Sequence, residues 1–308
     1  MRVAAAAAVA AVLLLTVAAN ASEVASVFAG ADPFALADHG KLYIYPTGRG
    51  KTLDVWAKDG DRWHDDGTLL SLKSIDWIRD DRAARHYLWA PDMIAANGRY
   101  YLYYSVGPQD PTPSRLGVAA CVTAEGPCAD SGKPLLVGGN GFEAIDPMVF
   151  VDPKSGVRYL YAGGSNGHTL RVFTLAADMV TIEREVAVDQ PPSFTEGVFM
   201  HERNGIYYLS YSHGHWDQSD YSIHYAMAST PLGPWKYRGI ILASQGKFKG
   251  PGHHSFARDP QTGDWLIVYH RWEGQHGDGP YQGSRRTVIQ PITYTATGEI
   301  ALVRMTND

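Results

Sequence analysis

The sequence predicts an all-β chain folded as a five-bladed β-propeller, and three observations carry that prediction. One hairpin phrase, a glycine turn followed by alternating aromatic and aliphatic residues, occurs five times, at residues 40–45, 98–105, 156–161, 205–212 and 263–270. The opening glycines are 58, 58, 49 and 58 residues apart, which leaves room for about four strands per repeat, the size of a propeller blade. No long amphipathic helix interrupts the pattern. A solenoid would show a shorter period, and a sandwich would not repeat one hairpin five times.

Each copy reads as the second strand of a hairpin, because a short apolar run precedes every turn: residues 33–37, 91–95, 147–151, 197–200 and 255–257. Ahead of the repeats, Met1 and Arg2 lead into a stretch rich in alanine, valine and leucine, which ends in Ala19, Asn20 and Ala21 before Ser22. A basic start, an apolar middle and a small-x-small site describe a secretory signal over residues 1–21. Its apolar run is too short and too alanine-rich for the roughly 20 residues that a membrane span needs. The expectation is therefore one exported domain, residues 22–308, periplasmic or extracellular, monomeric and not membrane-bound. A formal net charge of −5 offers no basic stripe to a phosphate backbone, which argues against nucleic acid as a partner. The 18 Tyr, 8 Trp and 32 Gly supply half-buried aromatic strands, tight turns and rings that can lie against sugars. Cys121 and Cys128 flank a short turn-like stretch, and export makes a disulfide between them the expectation.

In a propeller the innermost strands line the central channel, so equivalent positions on them converge at one end of the axis. The residues entering the five hairpins are Asp32, the stretch at Trp89, Asp146, Glu196 and His253. A strand that only packed would carry apolar or small residues there. One Asp-Pro step is an ordinary turn cap; three acids at matched repeat positions are not. Crowding them at a partly desolvated mouth raises at least one pKa. Cleavage of a glycosidic bond needs that asymmetry, a protonated acid at the leaving oxygen and an ionised partner across the sugar.

Taken in order, Asp32-Pro33, Trp89-Ala90-Pro91-Asp92, Ile145-Asp146-Pro147, Thr195-Glu196-Gly197 followed by residues 204–212, and residues 250–255 resemble glycoside hydrolase family 43, over essentially the whole mature chain. The resemblance implies a five-bladed propeller that hydrolyses arabinose- or xylose-containing plant polysaccharides with inversion of configuration. It implies Asp32 as the general base that activates water, Glu196 as the general acid, and Asp146 as the residue that orients the acid and tunes its pKa. No cofactor is required. His253 matches a histidine at the channel floor that in some members holds water or a calcium ion, so a structural calcium near the axis stands beside the plainer reading of a hydrogen-bonded core histidine. Phe34 and Trp89 are expected to offer apolar faces to the sugar, beside the plainer reading of both as core residues. Arg285 is expected to reach the sugar hydroxyls, although a one-residue slip of its strand would put Arg286 there instead.

Other readings fit less well. Residues 163–167 match a Gly-x-Ser-x-Gly pattern centred on Ser165, but a strand-like run follows where a nucleophile elbow needs a helix. His213 and His215 lack a third ligand at zinc spacing and read as a rim loop. The related fructan and sucrose hydrolases use Arg-Asp-Pro before a Glu-Cys motif, whereas here Arg258-Asp259-Pro260 follows Glu196 and Gly197 comes next to that glutamate. A silent sugar-binding propeller would have lost at least one acid. The reading favoured is an α-L-arabinofuranosidase acting on arabinan, arabinoxylan or derived oligosaccharides, with β-D-xylosidase activity beside it. An endo-acting arabinanase is the alternative, because residues 250–255 resemble motifs seen there; the appended β-sandwich common in the family's xylosidases is not evident.

Overall fold

The computed structural model describes residues 22–60 and 62–307, so the signal expected at residues 1–21 lies outside the described residues. Among the described residues five antiparallel sheets form the blades of a propeller, and the helical content is two short 3-10 turns, Leu72–Ser74 and Asp76–Asp81. No helix among them is long and apolar enough to cross a membrane. From the axis outward, blade I is Ala31–Asp38, Lys41–Thr47, Thr52–Asp59 and Arg62–Ser71. Blade II is Tyr87–Ala96, Arg99–Gly107, Arg115–Cys121 and Cys128–Asp130, with Leu136–Val137 also pairing with its third strand. Blade III is Met148–Val151, Arg158–Ala162, Arg171–Leu175 and Ile182–Val186, and blade IV is Glu196–Arg203, Ile206–His213, Ser222–Ala228 and Lys236–Leu242. All five predicted hairpins are therefore the two inner strands of their blades. Cys121 and Cys128 are disulfide-bonded across the outer pair of blade II.

Blade V closes the ring. Its strands Phe248–Arg258, Trp265–Glu273 and Arg286–Pro291 are completed by Ser26–Ala29 from the other end of the chain. The apolar side chains gather between blades rather than in one centre. Phe28, Ile44, Ala257 and Val268 join blades V and I, whereas Tyr45, Leu88 and Leu102 join I and II. The aromatic repeat has a further cause. The tyrosines at matched second-strand positions each donate a hydroxyl hydrogen bond to the next blade's outer turn: Tyr45 to Ala124 O (3.0 Å), Tyr103 to Met179 O (2.5 Å) and Tyr161 to Pro231 O (2.7 Å). Each ring fills the gap between blades while its tip satisfies a turn carbonyl that would otherwise be buried unpaired.

Asp92, on the inner strand of blade II, is 1% exposed; its Oδ2 accepts the Val149 N–H (3.1 Å) and its Oδ1 has no partner. Burial raises its pKa well above the usual carboxylate value. A carboxyl whose folded pKa is raised contributes stability below its unfolded pKa and loses it as pH rises toward the folded value. Asp92→Asn keeps an acceptor for Val149 and cannot ionise. Its Tm is expected to match the parent's at pH 4 and to exceed it by about 2–4 °C at pH 8, roughly what 1 kcal/mol is worth in a chain of this size. Thermal melts at the two pH values check this, and an equal shift at both would contradict it.

Candidate active site

Within or just before the inner strand of every blade, one residue lies in the left-handed region of backbone space. These residues are Asp32 (φ 46°), Ala90 (45°), Asp146 (55°), Gly197 (60°) and His253 (41°). In blades I, II, IV and V the strand pairing slips at this point. Such a conformation is costly for residues with a Cβ and persists where the surroundings impose it. Here a ring of hydrogen bonds imposes it. The N–H of Ala90 is accepted by Thr47 Oγ1 (2.7 Å), that of Asp146 by Ser105 Oγ (2.9 Å), that of His253 by Ser212 Oγ (2.8 Å), and that of Asp32 by His270 Nδ1 (3.0 Å). Each acceptor lies on the second strand of the preceding blade, seven residues after the glycine of its hairpin phrase. The corresponding residue of blade III is Gly163, where a Cβ would lie 2.0 Å from Thr169 O, so no side chain fits. The N–H of Gly197 is instead accepted by Asp146 Oδ2 (2.9 Å). Asp146 thus holds the backbone immediately after Glu196.

This corrects one expectation. Glu196 is not the equivalent of Asp32 and Asp146; Gly197 is, and Glu196 lies one residue earlier, paired with Ser212 as Trp89 is with Ser105. The mouth is lined from the left-handed step and from the residue just before it. Asp32, Asp146 and His253 reach it from the step itself, and Trp89, Ile145 and Glu196 from the residue before. All six, with Gln109, Ser165, Trp216 and Arg285, line one cavity of about 240 Å³.

Of the other residues singled out in the sequence, Trp89 stacks on Tyr87 (ring centroids 5.7 Å apart) and packs against Gly107, where a Cβ would meet its ring at 2.1 Å. Arg285, not Arg286, reaches the cavity: its Nη1 is 2.8 Å from Asp32 Oδ1, whereas Arg286 turns outward to Ser26 Oγ. Phe34 does not line the cavity. It lies two residues further down the inner strand, where it packs against Phe199 (6.1 Å) among the apolar side chains that fill the channel. Ser165 sits in a turn, as its flanking strand requires, and faces the cavity with its hydroxyl 3.3 Å from Glu143 Oε2. His213 and His215 bond to Ser193 O and Asp220 and stay off the cavity, although the next residue, Trp216, forms part of its wall.

The three carboxyl groups are buried but differ in electrostatics. Burial pushes Asp32 upward, but Arg285, with His253 and His270, outweighs it and holds Asp32 well below the usual carboxylate range. Burial pushes Glu196 up to about 7, opposed by a hydrogen bond from the Tyr221 hydroxyl to Oε1 (2.8 Å) and helped by the charge of Asp32. Asp146 is raised by burial and by its neighbours Glu196 and Asp32. Asp146 and Glu196 titrate as a pair, and the pair retains a proton near neutrality while Asp32 is ionised. His270 is driven down to about 3 by burial and by Arg285, and burial likewise lowers His253, so both imidazoles are neutral.

Sequence reasoning missed Tyr221, Trp216, Gln109, Ile145 and His270. Tyr221 stacks on His270 (5.8 Å) and is admitted by Gly252, where a Cβ would lie 1.9 Å from its ring. His270 is the last residue of the fifth hairpin phrase, a signal that was available; Tyr221 carries none. His253 does not form a metal centre. Its Nδ1 faces Asp32 Oδ1 (3.5 Å) and Asp146 Oδ2 (3.6 Å), Asp32 is already paired with Arg285, and among the described residues no three His, Cys, Asp or Glu side chains are arranged to hold a metal ion. The side chains present do not fit the calcium expected near the axis.

A model of the glycosyl hydrolases family 43 matches residues 24–300. Beta-D-galactofuranosidase xynD of Aspergillus niger is 34% identical over 96% of this chain and 88% of its own length. Xylosidase/arabinosidase 43A of Humicola insolens is 28% identical, over 88% and 95% of the two chains. The solved structure of an alpha-L-arabinofuranosidase from Clostridium thermocellum superposes with a TM-score of 0.68 at 30% identity, covering 88% of this chain and 92% of that one. A propeller that gathers three acids at its mouth, in a chain matched almost from end to end by one family, leads to a single assignment: the chain belongs to family 43 of the glycosyl hydrolases and is a glycosidase.

Proposed function

We propose that the enzyme is an exo-acting, inverting α-L-arabinofuranosidase that releases single sugars from arabinan, arabinoxylan or their oligosaccharides. The observation that carries this reading is the convergence of Asp32, Asp146, Glu196 and Arg285 on one cavity of about 240 Å³. That volume lies below the roughly 300–1,000 Å³ of sites that take drug-sized ligands, and it suits one sugar ring better than a bound length of polymer. In this reading Asp32, ionised beside Arg285, takes a proton from the attacking water. Glu196, pushed up to about 7 and so still partly protonated near neutral pH, gives its proton to the leaving oxygen, and Asp146 holds the chain next to that acid. The chemistry draws on carboxyl groups and water and calls for no cofactor. Action on plant polysaccharides agrees with export through the signal read at residues 1–21.

A second substrate is favoured by the galactofuranosidase relative. An α-L-arabinofuranosyl ring and a β-D-galactofuranosyl ring share their configuration and differ by one hydroxymethylene unit outside the ring. The test is a hydrolysis panel of aryl α-L-arabinofuranoside, aryl β-D-galactofuranoside, aryl β-D-xyloside, linear arabinan and arabinoxylan, with products resolved by size and the first-formed anomer read by NMR. Free arabinose of inverted configuration is expected. A ladder of arabinan oligomers would replace this reading with an endo-arabinanase, and cleavage confined to the xyloside would replace it with a xylosidase.

The pH dependence follows from the same charges. A general acid works only when protonated, so kcat/KM is expected to fall as pH rises through about 7, by about tenfold per unit once well above it. The base limb lies far on the acid side, because Asp32 is held ionised below the usual carboxylate range. A profile that rose between pH 6 and 8, as expected for a base of about neutral pKa, would contradict these roles.

A further inference from the structure

The cavity wall has an anchor that the proposed reaction does not use. Glu143 is 4% exposed, and four donors from two loops converge on its carboxylate. Gln109 Nε2 and Ser114 Oγ (3.5 Å) approach Oε1, and Ser165 Oγ (3.3 Å) and the Asn166 N–H (2.6 Å) approach Oε2. Gln109 and Ser165 are exposed and line the cavity, each on the loop that follows the second strand of its blade. Both loops are shaped to put them there. Gln109 has φ 77°, a left-handed conformation that a residue with a Cβ keeps only under constraint. A Cβ on Gly164 would lie 2.1 Å from Ile145 Cδ1, and one on Gly167 would lie 1.9 Å from Gly141 O. The loop carrying Ser165 is thus laid directly on the segment carrying Glu143.

A carboxylate that only stapled loops together would be content with backbone donors, whereas Glu143 also engages two side chains that face the cavity. We propose that Glu143 is a positioning residue for sugar recognition, holding the Gln109 amide and the Ser165 hydroxyl as a preformed hydrogen-bonding wall for the ring hydroxyls. Ionised, Glu143 is an acceptor only, so the Gln109 NH₂ and the Ser165 O–H are both turned toward it. What each offers the cavity is oxygen, and the wall accepts hydrogen bonds from sugar O–H groups. Its negative charge also adds to the field that raises Asp146 and Glu196.

The proposal rests on the glycosidase reading, and the experiment separates the two. Steady-state kinetics on an aryl α-L-arabinofuranoside, an aryl β-D-galactofuranoside and an aryl β-D-xyloside are compared for the parent, Glu143→Gln, Gln109→Ala, Ser165→Ala and the Glu143→Gln/Gln109→Ala pair. Gln109→Ala and Glu143→Gln are each expected to raise KM by about tenfold with kcat within about threefold, the signature of lost binding shared by ground and transition states. The pair is expected to be within about twofold of the worse single variant, because both remove one arrangement. The alkaline limb of the pH profile should move to lower pH in Glu143→Gln and stay in place in Gln109→Ala. Fully multiplicative effects in the pair, or a lowered Tm with KM unchanged, would overturn the proposal. Should Glu143→Gln fail to fold, the two exposed variants decide, and KM within about twofold of the parent in both would overturn it. A folded parent inactive on all three glycosides would defeat the glycosidase reading itself.

Discussion

Replacing Glu196 with alanine is expected to lower kcat on natural glycosides by about 10³- to 10⁴-fold, and on an aryl glycoside with a good leaving group by less than about 10²-fold. An alkoxide leaving group needs a proton in the transition state, whereas an aryloxide departs with little help. The surroundings of Glu196 are organised around that task. Burial lifts its carboxyl to about 7, the Tyr221 hydroxyl fixes one oxygen, and Asp146 pins the N–H of Gly197 beside it. Kinetics on one natural and one activated substrate check the prediction, and equal losses on the two would show that Glu196 is not the acid.

Asp32→Ala is expected to abolish turnover on both substrates, by about 10⁴-fold or more, because activation of water is required whatever the leaving group. Asp32 is the one acid of the three held ionised, and Arg285 and His270 converge on it. Removing it takes away the carboxylate paired with the Arg285 guanidinium, which keeps only His270 and the Trp216 ring, so Asp32→Asn, which keeps the shape and loses the charge, is the companion variant. Both are expected to be inactive, the asparagine form retaining the parent's Tm more closely. Residual rates on both substrates that matched those of Glu196→Ala would contradict the division of roles.

Much of the site could be read from the chain because it follows the repeat. Asp32, Asp146 and His253 occupy one structural position in three blades, and the hairpin phrase marks that position in each. Arg285 followed from the resemblance to the family, and strand alternation alone left Arg286 open beside it. Phe34 was misplaced because alternation gives the face of a strand and not the depth along the channel at which its side chain comes to rest. Glu196 was placed one residue off because some blades line the mouth from the left-handed step and others from the residue before it, and counting from the glycines does not tell the two apart.

By itself the sequence determined the number of blades, the inner hairpin of each, and the convergence of Asp32 and Asp146, with Glu196 one residue out of step, since the repeat is periodic and periodicity survives without coordinates. Only the tertiary structure decided which acid keeps its proton, that Tyr221 and Trp216 complete the mouth, and that Glu143 backs its polar wall. These depend on contacts far apart in the chain: Tyr221 reaches Glu196 across blade IV from 25 residues away, and Arg285 of blade V reaches Asp32 of blade I from 253. The charge state of a buried carboxyl is set by its net surroundings, and those exist only once the ring has closed.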